Sequence, residues 1–139
     1  MNTPDFIVVD AANVIGSRPD GWWRDRPGAA RRLLTKLAAL QSRLPATTIV
    51  VVLEGAARQA TPFPPAPLRV ILAPASGDDT ITQTTATLLS PTPDDTSAPG
   101  TTPPTVTVVT ADRGLRQRVE PLGATTVGPS WLLDQLDNL

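Results

Sequence analysis

Cysteine and histidine are both absent from this 139-residue chain. Their absence removes disulfides, zinc sites of the Cys/His type and haem ligation. It also removes the histidine general base and the cysteine nucleophile. A catalytic centre here has to be built from carboxylates, hydroxyls, amides and basic groups, and any bound metal has to be a hard cation held by oxygen. Long apolar runs are missing as well, and none approaches the length of a membrane-spanning helix. No basic flank leads into a long apolar segment at the start, so no signal peptide is read and the expected location is the cytoplasm. Neither sign of charge dominates: the formal net charge is −1. That excludes a surface coated in positive charge for tight nucleic-acid binding, but it leaves local patches open.

What is present fits one globular domain spanning 1–139. Apolar residues make up 40% and charged residues 18%, and the length allows a core that is stable alone. Many of the 16 prolines sit in two short regions and mark loops. Residues 90–104 (SPTPDDTSAPGTTPP) are dominated by proline, serine and threonine and read as a flexible surface excursion carrying solvated Asp94 and Asp95.

Short apolar runs alternate with helical patterns. Residues 6–10 (FIVVD), 48–54 (TIVVVLE), 68–72 (LRVIL), 105–110 (TVTVVT) and 124–127 (ATTV) read as strands. A turn-rich loop is expected after the first strand. Asp25 and Pro27 open a helix that runs to about residue 43, with Ala30, Leu33, Leu37, Leu40 and Leu44 facing the sheet. Further helices are expected from about Asp78 to Leu89, from Asp112 onward with Leu115, Val119 and Leu122 on one face, and over WLLDQLDNL with Ser130 as its cap. Alternating strands and helices imply a mostly parallel central sheet in a three-layer α/β/α sandwich.

Sites in such sheets form at the carboxyl ends of the strands. Asp10 ends the first strand and Glu54 the second. Asp78 and Asp79 open the helix after the third, and Asp112 lies just past the fourth. Parallel strands bring them all to one edge. Carboxylates packed together raise each other's pKa, and a divalent cation relieves the repulsion. Mg²⁺ or Mn²⁺ uses one or two protein carboxylates plus waters and phosphate oxygens. It also stabilises charge on a transferring phosphoryl group. Each acid taken alone has a plainer reading, as a helix cap or a loop residue; Asp10 is the hardest to dismiss, because AAN follows it instead of an immediate helix. Thr110 could donate to a ligating carboxylate, and Asn13 could orient a ligand or serve as a turn residue. Basic residues cluster between 18 and 36; Arg24, Arg26, Arg31 and Arg32 suit a phosphate backbone, or a solvated helix face. Trp22 and Trp23 offer a stacking surface for a base, or loop packing. Trp131 reads as core.

The segments IVVDAANVIG, SGDDTI and VVTADRGLRQRVEPLGA resemble the NYN domains of the PIN-like nuclease superfamily, in particular the YacP-like branch. The resemblance runs from about residue 6 to 137. It implies a PIN-like α/β/α sandwich that cleaves RNA with Mg²⁺ or Mn²⁺. Residue by residue, it implies Asp10, Asp78 and Asp112 as metal ligands, Asn13 orienting a ligand or phosphate, Asp79 as a second acid beside Asp78, and Thr110 in a Thr/Ser-x-Asp pattern with Asp112. This chain departs from the pattern where PIN relatives often carry another acid beyond the third motif: ADRGLR supplies only an arginine there, and Glu54 is the available substitute.

The leading expectation is a metal-dependent endoribonuclease with RNA as partner and no membrane association; a homodimer is left open. The alternatives are a weak or inactive RNA-binding or protein-interaction domain, and another metal-dependent phosphohydrolase such as a nucleotide pyrophosphohydrolase. Other classes lack their motifs. No GxxxxGK[ST] is present, no GxGxxG follows the first strand, and Asp10-Ala11-Ala12 stands where a haloacid-dehalogenase-type site needs Asp-x-Asp.

Overall fold

The computed structural model describes residues 4–18, 21–60, 68–90 and 104–139. The proline-rich loop at 62–67 lies outside the described residues. So does the predicted excursion at 90–104, with Asp94 and Asp95, apart from its end residues Ser90 and Pro104.

Five strands form one sheet: β1 Phe6–Asp10, β2 Thr48–Leu53, β3 Arg69–Leu72, β4 Val106–Val109 and β5 Thr125–Val127. Their order is β3-β2-β1-β4-β5, and every neighbouring pair is parallel. The central strands carry almost unbroken valine and isoleucine because both of their faces are covered. Val8, Val9, Val50, Val51, Val108 and Val109 are fully buried, each contributing on the order of 2 kcal/mol from burial.

Side chains alternate across the sheet, and two separate cores result. On one face Ile7, Val9, Ile49, Val51 and Leu53 pack with α1 (Ala11–Gly16), α2 (Arg26–Arg43) and α5 (Pro129–Asp137). On the other, Val8, Val50, Val52, Val106 and Val108 pack with Ile81 of α3 (Gly77–Leu89) and with Leu115 and Val119 of α4 (Arg113–Val119). This is a three-layer α/β/α sandwich, as expected from the alternating pattern. Ala30, Leu33, Leu37 and Leu40 of α2 are buried against the sheet, and Trp131 packs half-buried against the same cluster. None of the helices among the described residues is long and apolar enough to cross a membrane.

Four local expectations need correction. Leu122, expected on one helix face with Leu115 and Val119, lies beyond α4 in the 3-10 turn Glu120–Leu122 and is exposed. The segment after β1 is not simply a loop: Ala11–Gly16 is helical, and Trp22–Arg24 form a short 3-10 turn. The sequence AANVIG is too short and too poor in strong helix formers to show a period. It is helical because Ala11 and Val14 are buried in the core and Asp10 caps its first turn. The last helix begins at Pro129, preceded by Gly128, and has no side-chain cap, so Ser130 does not cap it. Proline at the first helical position already has the required backbone angle and lacks the N–H a cap would satisfy. After β2, Gly55–Ala60 form a 3-10 segment instead of an open loop.

Candidate active site at the carboxyl edge of the sheet

Strand order reverses between β1 and β4, because β2 and β3 extend the sheet on one side of β1 while β4 and β5 extend it on the other. The carboxyl ends at such a reversal leave a crevice. Register then decides which side chains enter it. Asp10 has the parity of Val8, Glu54 that of Val52, and Thr110 that of Val108. All three therefore belong to the face covered by α3 and α4, whose first residues bring Asp78 and Asp112 to the same edge.

Asp10 is the centre of the arrangement. It is 6% exposed. Its Oδ2 accepts from the Thr110 hydroxyl at 2.9 Å, and its Oδ1 accepts the backbone N–H of Asn13 at 3.4 Å. Burial lifts its pKa from 3.8 to about 6. The Thr110 hydroxyl and the Asn13 N–H oppose that shift, and the charges of Asp78 and Glu54 add to it. Asp78 is also held above the ordinary carboxylate range, first by burial, then by Asp112 and Glu54, with Arg118 pulling the other way. The acids predicted from the strand ends therefore sense one another. Among the described residues, the Asp78 carboxylate has no hydrogen-bond partner.

The remaining predicted residues divide into supports and outliers. Asn13 Oδ1 accepts the Ala111 N–H at 2.8 Å, tying α1 to the end of β4. Thr110 Oγ1 also accepts from Asp112 N at 3.1 Å. Asp112 caps α4, its Oδ1 accepting from Leu115 N at 3.2 Å. The expectation that Asp10 precedes no immediate helix is overturned, since it caps α1 while facing the crevice. Glu54 is more than a loop residue: its Oε2 accepts the N–H of Gly77 at 2.6 Å. A Cβ at Gly77 would stand 2.8 Å from the Glu54 carboxyl carbon, so a larger residue there has to displace the flexible end of Glu54. Asp79 is diverted to an exposed ion pair with Arg118 at 2.9 Å.

The arginines do not form one row. Arg26 lies 5.4 Å from the Trp22 ring centroid and shares a cleft with it. Arg32 lines a different, small cavity with Arg18 and Lys36. Arg24 and Arg31 are exposed. A residue missed in the sequence is Arg116, whose Nε and Nη2 both donate to the Thr110 carbonyl, at 3.0 and 2.9 Å. It fixes the backbone that carries the Thr110 hydroxyl. No local signal marks it, because the contact exists only once α4 has packed beside β4.

Among the described residues, no three carboxylates come close enough together to form a ready-made metal cage. The donor chemistry still suits a hard cation. The groups are all oxygen donors, two of them carry pKa values raised first by burial and then by neighbouring acids, and Mg²⁺ keeps several waters while taking only one or two carboxylates directly.

The strand order and the two covered faces define a three-layer α/β/α sandwich with a parallel sheet. The same fold occurs in Rae1 (YacP) from Bacillus subtilis: one crystal structure aligns with a TM-score of 0.73 at 20% identity, covering 96% of this chain and 74% of the other. A single-residue variant of Rae1 aligns with a TM-score of 0.70 at 21% identity, covering 96% and 75%. No protein-family model matches the chain, and no curated protein matches it in sequence.

Proposed function

We propose that this chain is a metal-dependent endoribonuclease of the NYN type, in the YacP-like branch of the PIN-like superfamily. The observation that carries the proposal is Asp10: a buried carboxylate at the strand reversal, held by Thr110 and raised to about 6 by burial and by neighbouring acids. A carboxylate kept in that condition gains most from a cation. The fold shared with Rae1 (YacP) and the order of the three motifs support the same reading.

Asp10, Asp78 and Asp112 are the residues that would hold Mg²⁺ or Mn²⁺, one or two of them directly and the rest through the ion's own waters. The bound ion supplies a lowered water pKa and neutralises charge that builds on phosphoryl oxygens. Thr110 orients Asp10 through its hydroxyl, and Asn13 locks the segment after β4 by its bond to Ala111. The Asp78 carboxylate, unpartnered among the described residues, is available to the ion or to a water. Trp22 and Arg26 stand where they can meet RNA, with Arg24, Arg31 and Arg32 exposed to its backbone.

The test is cleavage of a mixed RNA panel with Mn²⁺, run beside Asp10→Asn. Wild-type cleavage that falls more than about a hundredfold in the variant upholds the site, since even second-sphere changes at metal sites cost 10–100-fold. Equal activity in both proteins sinks it. The lack of a preformed three-carboxylate group among the described residues favours one alternative, an RNA-binding domain that has kept the fold without catalysis. Calorimetric titration with Mn²⁺ separates the two, because the alternative predicts no heat of binding that depends on Asp10.

A further inference from the structure

A second cleft opens beside the acidic edge. Its volume is about 370 Å³, and it is lined by Ala12, Ile15 and Ala75 together with Trp22, Arg26 and Glu54. That size falls within the range of small-ligand pockets, which combine apolar walls with a few placed polar groups. Ala12 sits two residues from Asp10, and Glu54 raises the pKa of both Asp10 and Asp78. The cleft therefore borders the carboxylate site directly.

Its aromatic wall is braced. Trp22 is half-buried, Trp23 meets it edge-on with centroids 5.9 Å apart at 87°, and the Arg26 guanidinium carbon lies 5.4 Å from its centroid. A ring already held in place loses little freedom when a flat ligand stacks on it. The polar lining is asymmetric. Glu54 is acceptor-only and Arg26 is donor-only. Glu54 has one oxygen on Gly77 N, while Arg26 makes no ion pair among the described residues. Gly55, at φ 59°, turns the chain immediately after Glu54 and keeps this wall short.

We infer that the Trp22–Arg26–Glu54 cleft is a nucleobase pocket with a preference for guanine, resting on the RNA reading above. Stacking on Trp22 accepts any base. The flanking charges select among them. Guanine presents O6 and N7 as acceptors for an arginine and an exocyclic amine with its neighbouring N–H as donors for a carboxylate. Uracil places carbonyl oxygens on both sides of its single N–H, and these face Glu54 with repulsion. A guanine held here puts its adjoining phosphate toward Asp10 and Asp78, which makes the pocket a specificity determinant for cleavage position.

The experiment is titration of the full chain, in metal-free buffer, with guanosine 5′-monophosphate and with uridine 5′-monophosphate. The three tryptophan indole N–H signals are followed by NMR, and the Trp22 signal is assigned from Trp22→Phe. The expected result is a saturable shift of the Trp22 signal with the guanine nucleotide and at least about tenfold weaker binding of the uracil nucleotide. Trp22→Ala should weaken guanine-nucleotide binding at least about tenfold, in line with the loss of one base stack. Glu54→Gln should erase the preference for guanine over uracil without unfolding the chain. Equal binding of the two nucleotides overturns the inference, as does the lack of any saturable shift by about 10 mM. Binding is read here without metal and without cleavage, so the two readings fail separately. Guanine-selective binding without RNA cleavage upholds the pocket and removes the nuclease; RNA cleavage with unselective nucleotide binding does the reverse.

Discussion

The two ends of the sheet use the same side-chain types in opposite ways. At the amino end, Asp5 and Thr105 satisfy each other: the Thr105 N–H donates to Asp5 Oδ2 at 2.9 Å, and the Asp5 N–H donates to Thr105 Oγ1 at 2.9 Å. Thr47 donates to the Pro4 carbonyl at 2.7 Å. Buried Gln41 accepts the Ile49 N–H at 2.7 Å and donates to the carbonyls of Leu44 and Thr47. The polar groups named here close onto backbone. At the carboxyl end, Asp10 senses the charges of Asp78 and Glu54, Asp78 senses Asp112 and Glu54, and Asp10 and Asp78 are pushed up in pKa, first by burial. The first set is satisfied within the fold, whereas the second keeps Asp78 without a hydrogen-bond partner among the described residues and is the proposed cation site.

The amino end should respond to mutation through stability alone. Gln41→Ala removes the side-chain partner of the buried Ile49 N–H and of the Thr47 carbonyl, while the Leu44 carbonyl keeps the Thr47 N–H; a loss of about 4 kcal/mol is expected at 1–3 kcal/mol per unsatisfied group. In thermal denaturation that is a drop of about 10 °C, while the cleavage rate per folded molecule stays the same. A large loss of intrinsic activity would contradict the division between the two ends.

The carboxyl end should respond to pH. In the metal-free folded protein Asp10 holds its proton up to about pH 6, against an ordinary value of 3.8. This contribution to stability is complete below about pH 4 and is lost as pH rises through about 6, amounting to about 3 kcal/mol at 1.36 kcal/mol per pKa unit. Asp10→Asn keeps the cap, because asparagine caps as well as aspartate, and it removes the dependence. Denaturant melts at pH 4 and pH 7.5 should show wild type losing stability that the variant keeps. Saturating Mn²⁺ should restore much of it to wild type alone.

Thr110 and Thr105, which flank the two ends of β4, sharpen the contrast further. Thr110→Val deprives Asp10 of its hydroxyl donor and should cut Mn²⁺-dependent cleavage by about 10–100-fold, as losses of second-sphere partners do. It should also raise the pH through which stability is lost. Thr105→Val should change neither. The smallest effect is expected from Gly77→Ala. The new methyl displaces the flexible end of Glu54 from 2.8 Å and breaks its bond to the Gly77 N–H, costing about 1 kcal/mol in chemical denaturation and shifting base preference more than rate.

Strand positions and the run of acids at strand ends were readable because burial on both faces writes itself as continuous valine and isoleucine, and because a site at the carboxyl edge is a property of any parallel sheet. The helix at Ala11–Gly16 was not readable, since six residues carry too little period and its stability comes from Ala11 and Val14 in the core. Arg116, Gln41 and the Glu54–Gly77 contact were invisible for a related reason. Each depends on a contact made only once the segments around it have packed, and nothing local distinguishes these residues from surface residues.

The sequence alone narrowed the chemistry available: without histidine or cysteine, a centre has to use carboxylates, hydroxyls, amides or basic groups, any bound metal has to be a hard cation, and Asp10, Asp78 and Asp112 stand where a parallel sheet would gather them. Tertiary structure decided their individual states. Packing buried Asp10 beside Thr110, gave Asp112 a capping role, turned Asp79 outward to Arg118 and left Asp78 without a partner among the described residues. A carboxylate's usefulness depends on its desolvation and on the charges within a few ångströms, and those are set by packing across the whole chain.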